Sequence, residues 1–204
     1  MDGAHPSEEW NDGAVTEPRQ AASIVVLRDS AEGPEVLLVQ RNPAQRFMGG
    51  AWVFPGGAVH SEDADHAAAA IRELEEEAGV RLPPDHPVVH WSRWITPAEV
   101  VVRFDTWFFV TEAPDGAEAT VDGSECVDVC WIRPGAALQA HRREELMLVF
   151  PTIKHLEALA EMESVAGTLE KARTREVVPV QPRVVVREGQ AEVLLPGDPG
   201  YELA

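Results

Sequence analysis

The segment from Pro55 to Val80 constrains the fold more than any other part of this 204-residue chain. It begins with Pro55-Gly56-Gly57, a sequence that breaks a strand and lets bare backbone approach another group closely. An alanine-rich and glutamate-rich stretch follows and stops at Gly79. This pattern predicts a short strand that enters a glycine loop, and then a helix over residues 64–78 that Gly79 terminates.

The predicted helix has two different faces. An apolar stripe for docking on a sheet is formed by Ala67, Ile71, Leu74 and Ala78. We expect Glu73, Glu76 and Glu77 to lie on the opposite face, at positions i, i+3 and i+4. Like charges at this spacing destabilise a helix. Solvent around an exposed face would offset the repulsion, and so would a bound Mg²⁺ or Mn²⁺, since hard cations prefer carboxylate oxygen.

The residues around the helix favour the metal site. The stretch Arg72 to Val80 reads REUxEExGU, where U is a bulky aliphatic residue. With the glycine pair upstream, this segment resembles the Nudix box. The resemblance implies a divalent-metal-dependent pyrophosphohydrolase with Mg²⁺ or Mn²⁺ as cofactor. Its cations would neutralise the charge that develops around phosphorus and lower the pKa of a bound water.

Carried over to this chain, the box implies specific roles. Glu73, Glu76 and Glu77 are expected to be metal ligands, and Gly56 to offer a backbone carbonyl to the metal. Glu76 or Glu77 is expected to orient or deprotonate the attacking water, although a base on a loop is an alternative. Arg72 completes the catalytic set by holding the glutamates through charge-assisted hydrogen bonds.

One acid of the box has no assigned residue. The loop between Gly57 and Arg72 is one residue longer than the family pattern, so either Glu62 or Asp63 takes the place of the first box glutamate. A further acid is expected shortly before a strand tryptophan. Glu125 precedes Trp131 by six residues and is a candidate metal ligand, with an ordinary loop carboxylate as the alternative.

The stretch before the box suggests a substrate. The spacing R-x4-R-x3-G-x3-FPGG starts at Arg41 and resembles the signature of coenzyme A diphosphatases, including peroxisomal-type hydrolases and their bacterial relatives. Asn42 replaces the small residue that usually follows the first arginine. The implied function is cleavage of coenzyme A or acyl-CoA to 3′,5′-ADP and phosphopantetheine. The expected substrate-binding residues are Arg41, Arg46, Gly57, Arg103 and Trp94.

Other functions stay open at this point. A hydrolase of ADP-ribose, NADH or a dinucleoside polyphosphate would use the same box. A Nudix-like domain that senses a nucleotide without cleaving it belongs to a different class, and the complete glutamate set speaks against it. Each alternative keeps a small-molecule nucleotide as the ligand.

Composition excludes several other classes. The formal net charge is −18, and Lys154 and Lys171 are the only lysines, so a nucleic-acid partner is not expected. No apolar run is long enough to span a membrane, and the N-terminus does not resemble a secretory signal. Cys126 and Cys130 lack the further ligands of a zinc site and are read as buried thiols in a reducing cytoplasm.

The hydrophobic pattern predicts an α/β or α+β sandwich with a mixed sheet and a β-rich C-terminal extension, which is the α/β/α architecture implied by the resemblance. Residues 1–20 are expected to form a flexible acidic tail, 21–168 the Nudix domain, and 169–204 the extension. That extension would pack on a homodimer partner or cover a sheet edge. Predicted strands are Ala22–Arg28, Val36–Arg41, Ala51–Phe54, Val88–Ile95, Phe104–Thr111, Glu125–Ile132, Val177–Val186 and Ala191–Leu195. Predicted later helices are Pro134–Ala140 and Thr152–Ala166.

Overall fold

The central element is β1, whose residues from Ala21 to Leu27 are all buried. The computed structural model describes residues 11, 13, 15–187 and 190–203. Most of the acidic tail predicted over residues 1–20 lies outside these ranges, at residues 1–10, 12 and 14. A strand that is apolar on both faces must be covered on both sides. β1 therefore predicts a layer on each face of its sheet.

Most strands and helices of the described ranges follow the sequence predictions, although the glycines predicted to form a loop belong to a short strand, β4. The strands are β1 (Arg19–Ser30), β2 (Gly33–Arg41), β3 (Trp52–Val53), β4 (Gly56–Ala58), β5 (Val89–Ile95), β6 (Phe104–Glu112), β7 (Cys126–Ile132), β8 (Arg183–Arg187) and β9 (Gln190–Leu194). The helices are α1 (His66–Ala78), α2 (Pro134–Arg142), α3 (Phe150–Leu159), α4 (Val165–Thr174) and a 3-10 turn, Tyr201–Leu203.

The main sheet is mixed. Its strand order is β3-β2-β1-β6-β5, with β4 paired to β1 and β7 paired to β2. β1 and β6 are parallel, whereas the other pairs of this sheet are antiparallel. Alternate residues of β1 enter two cores: Ile24 and Val26 pack with α1, while Val25 and Leu27 pack with α2, α3 and α4. The predicted α/β/α sandwich with a mixed sheet is confirmed.

The predicted helix Thr152–Ala166 is wrong, because two helices occupy this region. α3 ends at Leu159, and Ser164 caps a new helix by accepting a hydrogen bond from the Gly167 N–H at 3.1 Å. Asp29 of β1 also accepts from the Val165 N–H at 3.1 Å. These acceptors satisfy backbone N–H groups that every helix start leaves without a partner inside the helix. The apolar spacing of the sequence does not reveal this second helix start.

The C-terminal segment contacts the outer edge of the sheet. Val180 accepts a hydrogen bond from the Ile95 N–H at 2.8 Å and donates one to the Arg93 carbonyl at 2.8 Å. The strand predicted from Val177 begins only at Arg183 and forms a two-stranded sheet, β8-β9. The segment around Val180 therefore covers part of the exposed edge of β5. The homodimer stays a prediction.

None of the helices in the described part of the chain has the length and apolar run that crossing a bilayer requires.

Candidate active site

Helix α1 brings its glutamates to the glycine strand β4. Asp65 caps the helix start by accepting from the Ala68 N–H at 2.8 Å, and Gly79 ends the helix with a φ of 65°. The side chains of Glu73 and Glu77 are not on a solvent face as expected, since these residues are 7% and 3% exposed. Glu76, the third member of this acidic cluster, is exposed. The cluster thus lies along the edge of the helix–sheet interface.

The two glycines of β4 make this burial possible. A Cβ atom on Gly57 would lie 2.3 Å from Glu73 Oε1, and one on Gly56 would lie 2.5 Å from the Ala22 carbonyl oxygen. The N–H of Gly56 donates to Glu77 Oε2 at 2.9 Å. The Glu73 carboxylate therefore occupies space that a side chain at position 57 would fill, while the bare Gly56 lets β4 approach β1 closely. The sequence predicted a carbonyl role for Gly56, and the structure places its N–H against the cluster.

Arg72 connects the acidic cluster to the loop before the helix. It donates to both oxygens of Asp63 at 3.0 Å, to Glu73 Oε1 at 2.8 Å and to Glu76 Oε2 at 2.9 Å. Its Nη2 also donates to the Ala58 carbonyl at 3.0 Å. Of the two acids left open for the first box position, the structure brings Asp63 to Arg72. The Arg72 hydrogen bonds lower the pKa of Asp63 to about 2.

The electrostatics of the cluster disfavour charge. Desolvation raises the pKa of Glu77 to about 7, although the Gly56 N–H and the charge of Arg41 act in the opposite direction. Desolvation also raises the pKa of Glu73, with Glu76 and Glu125 adding like-charge repulsion. Buried carboxylates that repel one another are stabilised by a cation, whose binding expels their protons.

The donor set fits a hard divalent cation, because it consists of carboxylate oxygens with one buried edge and one exposed side. Within the described ranges, no three His, Cys, Asp or Glu side chains converge on one point where an ion would be held. The Arg72 guanidinium lies between Glu73 and Glu76 and hydrogen-bonds both. The glutamates would have to reorient from Arg72 for all of them to bind one ion.

A turn from Asp122 to Cys126, named here the acid turn, approaches the cluster from β7. Cys126, the residue after Glu125, is buried in the same core as Leu74 and Ala78 of α1. The charge of Glu125 contributes to the raised pKa of Glu73. The Cys126 thiol is buried, and desolvation followed by the charge of Glu77 holds its pKa far above the usual range. The sequence reading missed this role for Cys126, since nothing in its spacing places it opposite the helix.

One predicted substrate residue, Arg41, ends β2, and another, Arg46, lies on the loop that follows. Arg41 pairs with Cys126 across β2 and β7, and its charge lowers the pKa of Glu77. Its Nε is buried and has no hydrogen-bond partner within the described residues. Arg46 is exposed on the loop that returns the chain to β3. Arg41 is thus near the cluster, while Arg46 lies on the loop beyond β2.

Two other predicted substrate residues have different surroundings. Arg103 is 7% exposed and donates to the backbone carbonyls of Thr96 at 3.1 Å and Thr16 at 2.6 Å. Trp94 packs on Phe150 and His155, in the core on the side of the sheet opposite α1. These contacts favour structural roles, and the structure brings neither residue into contact with the acidic cluster.

Comparison with known proteins agrees with this geometry. Residues 17–151 match the family model described as the NUDIX domain. A Caenorhabditis elegans protein named nudix hydrolase 7 is 25% identical across 93% of this chain and 77% of its own length. The uncharacterized Nudix hydrolase NudL of Klebsiella aerogenes is 46% identical across 33% of this chain and 53% of its own length. The chain thus matches about half of the length of that relative.

Solved structures give the same result for the fold. A NUDIX hydrolase from Alicyclobacillus acidocaldarius superposes with a TM-score of 0.66 and 29% identity, covering 74% of this chain and 95% of that one. The NUDIX domain of Shewanella oneidensis NrtR, solved with ADP ribose, gives 0.57 and 19%, covering 72% and 90%. At that identity the second match supports the fold alone.

Proposed function

This chain belongs to the NUDIX family of hydrolases that act on diphosphate linkages, and we propose that it cleaves coenzyme A or an acyl-CoA with the help of Mg²⁺ or Mn²⁺. The observation that carries the proposal is the pair of buried glutamates, Glu73 and Glu77, seated against a glycine strand. Their burial raises their pKa values and repulsion adds to the effect, so the site is prepared for a cation.

The metal-holding residues would be Glu73, Glu76 and Glu77, with Glu125 added from the acid turn. When bound, the divalent ions supply charge neutralisation at the diphosphate and a more acidic water. Hydrolysis forms one bond from water oxygen to phosphorus and breaks one bond from phosphorus to the bridging oxygen. The protein's own contribution is to hold its carboxylates close together and to accept the proton of the water.

We assign the proton-accepting role to Glu76. Its side chain is 58% exposed, so a water at the open side of the cluster can reach it. Glu77 is nearly inaccessible, and its carboxylate already accepts a hydrogen bond from the Gly56 N–H. Arg72 is the positioning residue that holds Asp63, Glu73 and Glu76 together, and we assign it no contact with substrate.

The coenzyme A assignment is supported by the loop between Arg41 and Gly57. Its arginine and glycine spacing resembles that of coenzyme A diphosphatases, and the charge of Arg41 acts on Glu77, while its buried Nε has no hydrogen-bond partner among the residues that the structure describes. A guanidinium at this position would bind a substrate phosphate. Arg46, further along the loop, would bind a second phosphate, whereas the space beside Gly57 is taken by the Glu73 carboxylate. The free thiols of Cys126 and Cys130 are consistent with the cytoplasm as the location.

A panel assay tests the proposal. The protein would be incubated with Mg²⁺ or Mn²⁺ and with coenzyme A, ADP-ribose, NADH and diadenosine polyphosphates, and the products separated by chromatography. We expect 3′,5′-ADP and phosphopantetheine from coenzyme A, and loss of both products in Glu76→Gln. Release of AMP from ADP-ribose or NADH instead would replace the substrate assignment. Binding of these compounds without turnover would favour a nucleotide sensor.

A further inference from the structure

The acid turn is organised around one carboxylate, that of Asp122. Asp122 accepts hydrogen bonds from the backbone N–H groups of Ser124 at 3.1 Å, Glu125 at 3.0 Å and Cys126 at 3.0 Å. It also accepts from the Ser124 hydroxyl. The Asp122 carboxylate is therefore used within its own turn.

The same turn is held from its other side by the loop after β2. The carbonyl of Glu125 accepts from the Asn42 N–H at 2.8 Å and from Gln45 Nε2 at 3.3 Å. The side chain of Asn42 donates to the Ser124 carbonyl at 2.8 Å. Both the N–H and the carbonyl of Glu125 are thus fixed. Asn42, the residue that departs from the coenzyme A signature, thus links the loop after β2 to the acid turn.

The side chain that leaves this fixed backbone is that of Glu125. Glu125 is exposed, and the next residue, Cys126, is buried in the same core as Leu74 and Ala78 of α1. An exposed loop carboxylate normally samples many positions, and ordering it upon binding costs conformational entropy. A turn that is already ordered reduces this cost.

We propose that Asp122 is a positioning residue for Glu125: it folds the acid turn so that the Glu125 carboxylate is presented to the cation held by Glu73, Glu76 and Glu77. Asp122 itself touches neither cation nor substrate. This proposal rests on the proposed function, because it requires Glu125 to take part in binding a divalent cation. It adds a residue outside the Nudix box, three positions before the acid that it serves.

The first test is the affinity of the whole protein for Mn²⁺, measured by calorimetry in the absence of substrate. We expect Asp122→Ala to weaken the affinity for Mn²⁺ by about tenfold, the effect typical of residues that orient a metal ligand. Asp122→Asn retains one acceptor oxygen and should lose less. Asp115→Ala, an exposed acid in the same β6–β7 connection, is the matched control and should leave the affinity unchanged. Equal affinity in the wild type and Asp122→Ala would overturn the proposal.

A double-mutant cycle separates positioning from a general loss of structure. If Asp122 acts through Glu125, then adding Asp122→Ala to Glu125→Ala should cause almost no further loss of Mn²⁺ affinity. A further tenfold loss in the double variant would refute the proposal. If Asp122→Ala does not fold, as judged by circular dichroism, the cycle is run with Asp122→Asn and the same two outcomes apply.

The failure of the positioning role and the failure of the proposed function are distinguishable. A wild-type protein that binds no Mn²⁺ would contradict the metal site itself, and the role of Asp122 toward it would fall as well. A wild type that binds Mn²⁺ with an unchanged Asp122→Ala variant would contradict only the positioning role. In kinetic assays we expect Asp122→Ala to shift the Mn²⁺ concentration at half-maximal rate more than kcat at saturating Mn²⁺.

Discussion

The two faces of the sheet both bury ionisable side chains, but they differ in how far hydrogen bonds and neighbouring charges compensate these groups. On the α1 face, Glu73 and Glu77 have raised pKa values and lie among other acids. On the opposite face, His155 of α3 is 3% exposed and has a hydrogen-bond partner at each ring nitrogen. Desolvation lowers its pKa to about 4. The histidine is satisfied by the fold, whereas the glutamates still repel one another.

The hydrogen bonds of His155 determine its tautomer. Its Nδ1 lies 2.6 Å from the Pro151 carbonyl, which only accepts, so Nδ1 carries the proton. Nε2 then accepts from the Ser92 hydroxyl at 2.6 Å. The residue types resemble a catalytic serine–histidine pair, yet both are buried among aromatic rings. Buried ionisable groups thus indicate a ligand site where like charges lie together, as Glu73 and Glu77 do. They indicate a structural role where each polar atom has a hydrogen-bond partner, as in His155.

The largest difference between the faces should be seen in catalysis. We expect Glu76→Gln and Glu77→Gln to lower kcat by about 10² to 10⁴, because they remove a proton acceptor or a metal ligand. The fold should stay intact, since glutamine has the size of glutamate and keeps an oxygen that can accept the hydrogen bonds of Arg72 and Gly56. Turnover and thermal unfolding measured on the same samples check this. Wild-type turnover in both variants would show that the cluster is not the catalytic centre.

On the other face, the expected effect is on stability. His155→Ala should lower the free energy of unfolding by about 2–4 kcal/mol, because it leaves a cavity and an unpaired Ser92 hydroxyl. Ser92→Ala removes only the hydrogen bond and should cost about 1 kcal/mol. Urea unfolding measures both values. A His155→Ala protein that keeps its stability but loses kcat would reverse the roles given to the two faces.

The pH dependence of stability sharpens the comparison. The folded state holds His155 with a pKa of about 4, below its ordinary value of 6.5, so the unfolded chain binds the proton more readily. The contribution of His155 to the free energy of unfolding is therefore fully present above pH 6.5. It is lost as the pH falls toward 4, by on the order of 3 kcal/mol. Urea unfolding at pH 7 and pH 4.5 should bring the wild type and His155→Ala closer at the lower pH. A constant difference between them would contradict the neutral, buried histidine.

Glycine substitutions give the smallest expected effects. Gly57→Ala should weaken Mn²⁺ binding by about tenfold, because the new methyl group displaces Glu73. Gly135→Ala, in α2 on the other face, meets no atom within 4 Å and should raise stability by about 0.4–1 kcal/mol. Calorimetric Mn²⁺ titration and urea unfolding distinguish the two effects. Unchanged Mn²⁺ affinity in Gly57→Ala would show that Glu73 does not depend on the bare glycine backbone.

Local patterns in the sequence predicted α1, its stop at Gly79 and most strands, since these depend on periodicity and glycine. They did not predict that Glu73 and Glu77 are buried. A helical wheel sorts residues by polarity and therefore placed these glutamates in solvent. Glu73 can be buried because Gly57 of β4 has no side chain in the space that its carboxylate occupies. The contacts of Cys126, Arg103 and Trp94 depend on which strands become neighbours. Strand pairing of this kind, between segments far apart in the chain, is not encoded in any one stretch.

The central claim is that the acidic cluster of α1 binds a divalent cation. Titration of the protein with Mn²⁺, followed by electron paramagnetic resonance of the free ion, tests it without any assumption about substrate. We expect the wild type to bind Mn²⁺ and Glu77→Gln, with its fold intact, to bind it at least about tenfold more weakly. Equal binding by both proteins, or no binding by the wild type, would contradict the claim.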